Sequence, residues 1–494
     1  MKALFFPNII FLLSCLATVP VFSQKYEISI TLNSHNDTVI LGHYYTKGDL
    51  RRANDTIVLK NGKGVFKGDK TLANGVYFLI NDRRLLFDFL IGDNQQFGIV
   101  IDTADLVNRA KFTSSRENDV FFEFQRHKNE RVKQQQQLNE QFRSATTDIE
   151  RNEIRQRLLS MNRELIEYID NLVEANSNLV VSKFLKTVIP PEARLPEPPR
   201  DEQGRITDSL FVYRWYRAHF FDNLNIYDPD MLRTPFYEEK ILNYMTRVIP
   251  QHPDSINAEA DKILSKAKAN GNDDIFRILM ITLFNHYVQS KIIVHENVWV
   301  HIADKWYIPY STWSTADYIE TLKQEVVKKT PNLIGKQAPP IEMLTALSTE
   351  HFKAAALDTA IKFDLYAGRV IPDFRRELKS KFTVLYFWDY SCGHCKQSIR
   401  KLFNIWEESK DDDFQVITIQ TLFGSRNDKG KWIDFVNENE LYGWINAWSP
   451  YSYKYKELYD ISSTPQLFLL DEKGNIMLKK LEPEQIKEFI DTQK

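Results

Sequence analysis

Two cysteines in the last quarter of the chain carry the chemistry that this sequence predicts most clearly. Cys392 and Cys395 enclose Gly393 and His394 in a Cys-x-x-Cys motif. The motif follows an apolar run at 382–388 that indicates a strand buried on both faces, and a segment with helical apolar spacing comes after it. A thiol at the start of that helix would meet free N–H groups and partial positive charge, which favour the thiolate. Strand, turn, dithiol and helix together predict thiol–disulfide redox chemistry.

The two residues between the cysteines are expected to tune the dithiol. His394 brings a cation or a hydrogen-bond donor close to the sulfur and should favour the thiolate further. A stabilised reduced form makes a dithiol more oxidising, so Gly393 and His394 predict a reduction potential above that of thioredoxin.

Half of a zinc site and a structural disulfide are the alternative interpretations of this motif. A structural zinc usually takes four Cys or His ligands, and Cys15 is the only other cysteine of the chain. A disulfide that closes so small a ring restricts the unfolded chain very little. We therefore favour the redox interpretation, and predict neither a metal site nor a cofactor.

A proline marks a second feature downstream of the motif. Thr464 and Pro465 directly precede an apolar segment at 466–471, which indicates a buried strand and is followed by a turn. Proline at the start of a buried strand is expected where the X–Pro bond is cis or where the strand ladder is interrupted. An ordinary loop proline is the alternative.

These features carry a resemblance to a known family. Residues 334–494 resemble a thioredoxin-like domain of the TlpA/ResA kind, which occurs in bacterial envelopes. The matching parts are the entry segment at 334–339, the apolar strand, the CGHC motif and the Ser-Thr-Pro before the later strand. The resemblance implies that Pro465 is cis and faces the dithiol, and that the backbone of Thr464 pairs with the substrate. The CGHC motif also resembles protein disulfide isomerases, and a threonine before the cis-proline resembles bacterial disulfide isomerases.

The sequence departs from that family at three positions. Tyr386 stands where thioredoxin has a buried acid, Ser398 where ResA-like proteins have a glutamate, and Arg400 where a helix-kinking proline is usual. These departures concern the group that moves protons to and from the second cysteine. His394 and Asp389 are the nearest candidates for that task by sequence.

Length and charge limit the classes of function. The chain has 494 residues, enough for several domains, and a net charge of −2 from 64 basic and 66 acidic residues. That balance argues against nucleic acid as a partner.

The first 23 residues predict a signal peptide, because Lys2 precedes an apolar stretch at 4–16 and 21–23 fit a cleavage site. The alternative is a lipoprotein signal with a lipid anchor at Cys15. Either way, the protein is expected to leave the cytosol for the periplasm or cell envelope.

Hydrophobic periodicity divides the mature chain into three predicted domains. Residues 24–113 contain short alternating segments with Asn/Gly turns, which predict an all-β, sandwich-like domain. Residues 114–330 show helical periodicity and predict an all-α domain. In 331–494 strands alternate with helices, which fits the α/β/α layers of thioredoxin. The first two domains resemble domains of unknown function that accompany envelope thioredoxin-like domains.

The sequence thus predicts a multidomain, exported thiol–disulfide oxidoreductase that acts on protein disulfides. In this hypothesis Cys392 attacks the substrate and Cys395 resolves the mixed disulfide. The TlpA/ResA resemblance favours a reductase fed by a membrane or periplasmic electron donor, whereas Gly-His and Thr-Pro favour an oxidant or isomerase. An envelope surface binding protein with an accessory redox domain is the alternative function.

Overall fold

The computed structural model describes residues 26–33, 37–82, 84–345, 349–409, 413–422 and 426–493. The predicted signal peptide at 1–23, including Cys15, lies outside these residues. The chain divides into two compact units, Met1–Ile241 and Leu242–Lys494. Because the boundary between the units falls inside the predicted helical domain, the division into 24–113, 114–330 and 331–494 stays a prediction.

The first unit begins with a strand-rich region. Its strands are β1 (Tyr26–Leu32), β2 (Thr38–Tyr45), β3 (Lys47–Val58), β4 (Lys63–Gly68), β5 (Gly75–Asn81), β6 (Arg84–Ile91), β7 (Gln96–Ile101) and β8 (Lys111–Thr113). Within the described residues they form one sheet in the order β4-β1-β7-β8 and another in the order β3-β2-β5-β6. Ile28 and Phe97 from the first sheet share an apolar core with Leu41 and Tyr77 from the second. The all-β prediction is confirmed.

Helices follow, and their first turns show why they begin where they do. They are α1 (Arg116–Ser144), α2 (Asp148–Ala175), α3 (Val180–Lys186), α4 (Phe211–His219) and α5 (Tyr237–Asn243). Ser115 caps α1 by accepting a hydrogen bond from the N–H of Asn118. Thr147 and Glu150 form a reciprocal capping box at the start of α2.

The second unit opens with further helices. They are α6 (Pro253–Ala269), α7 (Asp273–Val288), α8 (His295–Ile302), α9 (Ile308–Tyr310) and α10 (Ala316–Lys329). The prediction of an all-α middle region is therefore confirmed. Among the helices of the described residues, none combines the length and the apolar character needed to cross a membrane.

A mixed sheet with helices completes the second unit. Its strands are β9 (Met343–Thr345), β10 (Arg369–Ile371), β11 (Phe382–Trp388), β12 (Phe414–Gln420), β13 (Ile445–Trp448), β14 (Gln466–Asp471) and β15 (Ile476–Lys479). Its helices are α11 (Thr349–Leu357), α12 (Thr359–Phe363), α13 (Gly393–Glu408), α14 (Arg426–Glu438), α15 (Lys454–Leu458) and α16 (Pro483–Thr492). The order of the strands in the sheet is β10-β9-β13-β12-β11-β14-β15.

Strand β11 is buried along its whole length because apolar side chains cover both of its faces. Val384 packs in a core with Ile399 of α13 and Ile486 of α16. Leu385 points to the opposite face, where it packs with Tyr459, which follows α15. β11 runs parallel to β12 and antiparallel to β14. The predicted thioredoxin-like layering of the C-terminal region is confirmed.

Candidate active site

The two cysteines lie at the N-terminus of α13, shortly after the end of β11. Cys392 is the N-cap residue of α13, and its sulfur accepts a hydrogen bond from the backbone N–H of Cys395 at 3.2 Å. Cys392 is half-buried, whereas Cys395 lies one turn inside the helix and is fully buried. Both are free thiols. The local sequence therefore presents one sulfur to solvent and keeps the other beneath it.

The second sequence feature comes to the same place through the pairing of the sheet. The Thr464–Pro465 peptide bond is cis, as the resemblance implied. Since Gln466 pairs with Phe387, the proline lies at the end of β11 from which the dithiol turn emerges. The thiol of Cys392 contacts the carbonyl oxygen of Thr464 at 3.6 Å, across 72 residues of sequence.

Burial separates the chemistry of the two thiols. It raises the pKa of Cys395 to about 12, and the interaction of that thiol with Cys392 acts in the same direction. Cys395 is therefore protonated near neutral pH and must lose a proton before it can act as a nucleophile. The half-buried sulfur of Cys392 is the more accessible of the two to a large substrate.

The two predicted proton carriers have different surroundings. His394 is exposed on the first turn of α13 and makes no hydrogen bond or ion pair with the residues that the structure describes. The carboxylate of Asp389 accepts hydrogen bonds from the backbone N–H and the hydroxyl of Ser391, at 2.6 and 2.7 Å. Asp389 thus stabilises the turn before the dithiol. Gly393 is open to solvent, with space for a side chain at its position.

Tyr386 is a site residue whose contact the sequence did not predict. It is fully buried in β11, and its hydroxyl donates a hydrogen bond to the backbone carbonyl of Cys395 at 3.2 Å. Burial raises its pKa, so the phenol stays neutral. Ser398 lies on the same side and is buried, and the interaction of its hydroxyl with Tyr386 acts against that rise in the pKa of Tyr386. The sequence offered one signal for this contact, which is a polar tyrosine within an otherwise apolar strand, on the side that faces α13.

Three family models match the chain. A thioredoxin-like family matches residues 380–476, which include the dithiol and the cis-proline. The domain of unknown function DUF5106 matches 128–336, and the domain of unknown function DUF4369 matches 26–121.

A relative and two solved structures are also similar to parts of this chain. Sporulation thiol-disulfide oxidoreductase A of Bacillus subtilis is 30% identical over 114 residues, which are 22% of this chain and 67% of the relative. A thioredoxin-like protein from Bacteroides caccae is 16% identical, with a TM-score of 0.38, over 61% of this chain and 98% of that chain. A domain of a possible thiol-disulfide isomerase from Cytophaga hutchinsonii is 26% identical, with a TM-score of 0.25, over 33% of this chain and 92% of that chain.

Proposed function

The chain belongs to the thioredoxin-like thiol–disulfide oxidoreductases, and from this premise we propose that Cys392 and Cys395 exchange disulfides with protein substrates. One observation carries the assignment of these residues. The half-exposed sulfur of Cys392 lies at the N-terminus of α13 and beside the carbonyl of Thr464, while Cys395 is buried behind it. This geometry favours one attacking thiol and one resolving thiol.

The reaction that we propose has two exchange steps. The thiolate of Cys392 attacks one sulfur of the substrate disulfide, the substrate S–S bond breaks, and the leaving substrate thiolate takes up a proton. Cys395 then loses its proton and attacks the sulfur of Cys392, which releases the second substrate thiolate. The protein is left with a Cys392–Cys395 disulfide, and two electrons have passed to the substrate. The reverse sequence oxidises a substrate dithiol.

In this proposal the cis-proline segment orients the substrate, and the turn residues tune the dithiol. The carbonyl of Thr464 faces the attacking sulfur, so an extended substrate chain that pairs with this backbone would bring its disulfide to Cys392. Pro465, which follows that carbonyl in a cis peptide bond, belongs to the same orienting segment. Gly393 and His394 leave the approach open on the solvent side.

A pair of variants tests the assignment. Cys395→Ser should accumulate mixed disulfides with protein substrates, because the resolving thiol is missing, whereas Cys392→Ser should accumulate none and lose turnover. Non-reducing mass spectrometry of the full-length variants measures both. Undiminished disulfide turnover in Cys392→Ser would refute the proposal. Absence of mixed disulfides in Cys395→Ser would favour the alternative of a surface binding protein with an accessory dithiol.

The reduction potential of the dithiol distinguishes a reductase from an oxidant or isomerase. A reductase supplied by a membrane or periplasmic donor needs a low potential, near the value of about −270 mV known for thioredoxin. An oxidant or isomerase needs a value near or above about −180 mV, which His394 would favour. Equilibration of the Cys392–Cys395 pair with glutathione buffers distinguishes the two.

We also propose that the protein works in the periplasm or cell envelope. The support is the sequence of residues 1–23, with its basic start, apolar stretch and small-residue cleavage site. Mass spectrometry of the mature N-terminus tests this. A chain that begins at Gln24 supports cleavage of a signal peptide, a lipidated Cys15 supports anchoring, and an intact Met1 contradicts export.

A further inference from the structure

The segment that leads to the cis-proline is held at its start by an acidic residue. Asp460 follows α15 with a φ of +52°, in the left-handed region that Asp adopts more readily than most residues with a side chain. Its side chain is 9% exposed, and its carboxylate forms ion pairs with two lysines. The Nζ atom of Lys329 lies at 2.5 Å and that of Lys328 at 2.8 Å, and both lysines belong to the last turn of α10.

A second set of contacts ties the same helix end to the sheet. Lys329 also lies 3.3 Å from the carboxylate of Glu296 in α8, and Glu296 pairs with Lys479 of β15. The side chain of Lys479 is 1% exposed, and its Nζ donates to the backbone oxygen and side-chain oxygen of Asn332, at 2.9 and 2.7 Å. The amide of Asn332 in turn donates to the carbonyl of Leu458, the last residue of α15, at 3.1 Å.

A segment of four residues, 461–464, connects this network to the dithiol. The N–H of Ile461 donates to the carbonyl of Lys456 at 2.7 Å, and that of Ser462 to the carbonyl of Asp460 at 3.2 Å. Two residues later the carbonyl of Thr464 contacts the sulfur of Cys392. A short segment therefore connects Asp460 to the atom that faces the attacking thiol.

We propose that the end of α10 is a clamp that positions the cis-proline segment against the dithiol, with Lys328, Lys329 and Asp460 as its positioning residues. This α10 clamp gives the helical region a task in the redox reaction, since both lysines fall within the residues that DUF5106 matches. The inference rests on the proposed function of Cys392 and Cys395. It goes beyond the chemistry of the dithiol because it assigns a role to residues that carry no redox group.

The experiment compares two carboxylates that both form ion pairs, only one of which lies next to the cis-proline segment. Asp460→Asn removes the charge from the clamp. The matched control is Asp261→Asn, because Asp261 also binds a lysine, Lys305 at 2.8 Å, and a ring nitrogen, His301 at 2.9 Å, but within the helical region alone. Disulfide turnover, the glutathione equilibrium of the dithiol and thermal unfolding are measured on the full chain.

The expected results separate positioning from stability. Asp460→Asn should lower kcat/KM on the order of tenfold, because small misplacements of an orienting group are costly, while Asp261→Asn should lower only the unfolding temperature. Asp460→Asn should also change the glutathione equilibrium constant of the dithiol by about threefold or more, where a tenfold change would equal about 30 mV. A folded Asp460→Asn protein with the kinetics and equilibrium of the wild type would overturn the clamp.

A milder variant covers the case in which Asp460→Asn does not fold. Lys328→Gln removes only the more exposed of the two ion pairs, and should change kcat/KM and the equilibrium in the same direction by a smaller factor. Wild-type values in that folded variant would equally overturn the clamp. Failure of the proposed function looks different, since the wild type itself would then turn over no protein disulfide, and the glutathione equilibrium would still test the clamp.

Discussion

The two strand-rich regions bury apolar strands in different ways, and the dithiol lies in the C-terminal one. In β1 buried and exposed residues alternate, as in a sheet with one face toward a core. All seven residues of β11 are buried, and the chain passes from its end into a helix within a few residues. A thiol at the junction of a buried strand and a helix N-terminus is held in place by the strand. The free N–H groups of the helix also stabilise its thiolate.

The largest expected effect is on stability and tests this difference in burial. Leu385→Ala in β11 should lower the free energy of unfolding by about 2–5 kcal/mol, and Val384→Ala on the opposite face should also be destabilising. In β1, Ile28→Ala should cost a similar amount, whereas the exposed Ser29→Ala should stay within about 0.5 kcal/mol. Denaturant unfolding measures all four. A neutral Val384→Ala would contradict the two-sided burial of β11.

The next effect concerns the reactivity that the strand–helix junction creates. With a pKa of about 12, Cys395 is ionised to roughly one part in ten thousand at pH 8. We therefore expect iodoacetamide to modify Cys392 at least about 100-fold faster than Cys395 in the reduced protein. Peptide mass spectrometry follows both sites, and Cys392→Ser provides the control for Cys395 alone. Equal rates in the folded protein would mean that burial does not protect the second thiol.

A buried lysine in the C-terminal region should make stability rise with pH. Burial lowers the pKa of Lys429 to about 8, with the nearby charge of Asp364 acting in the opposite direction. Its Nζ donates to the carbonyls of Ile361 at 3.2 Å and Ala367 at 2.9 Å. Since an unfolded lysine has a pKa near 10.4, the unfolded chain binds more protons between about pH 8 and pH 10.

Over that range the wild type should gain about 1.4 kcal/mol per pH unit relative to Lys429→Met. Urea unfolding of both proteins at several pH values measures the difference. A difference that stays constant from pH 8 to pH 10 would contradict the burial of a lowered-pKa lysine.

A buried acid in the first unit should make stability fall as the pH rises, which is opposite to the effect of Lys429. Glu117 accepts hydrogen bonds from the N–H groups of Val180 at 3.0 Å and Val181 at 2.7 Å, yet burial raises its pKa. The folded state therefore holds its proton more tightly than the unfolded chain does. Relative to Glu117→Gln, the wild type should gain stability as the pH falls toward about 4. Thermal unfolding across this range measures the trend, and a gain toward higher pH would contradict it.

The smallest expected effects compare one tyrosine hydroxyl in each region. Tyr386 donates to a neutral carbonyl, so Tyr386→Phe should cost about 0.5–1.5 kcal/mol. Tyr44 in β2 donates to the carboxylate of Asp88 at 2.9 Å, and Tyr44→Phe should cost more, about 1.5–3 kcal/mol, if that carboxylate is charged. Denaturant unfolding at neutral pH ranks the two. Equal costs would indicate that Asp88, whose pKa burial raises, is protonated in the folded protein, and the reverse order would contradict the ranking.

Local patterns were sufficient to predict most of the architecture. The alternation along β1, the continuous apolar run of β11 and the helical spacing after Cys395 each depend on neighbours within a few residues. The dithiol at the start of a helix was predictable for the same reason. The cis bond before Pro465 required the resemblance as well, since proline at the start of a strand is compatible with other geometries.

The sequence by itself thus determined the order of strands and helices, the dithiol and its place at a helix N-terminus. Only the tertiary structure decided which distant groups meet there. Lys329 and Asp460 are 131 residues apart, and the hydroxyl of Tyr386 reaches Cys395 only because the strand packs against α13. Periodicity reports the environment of a residue's own element, whereas a contact between elements depends on how they pack, and no local pattern of residues encodes that.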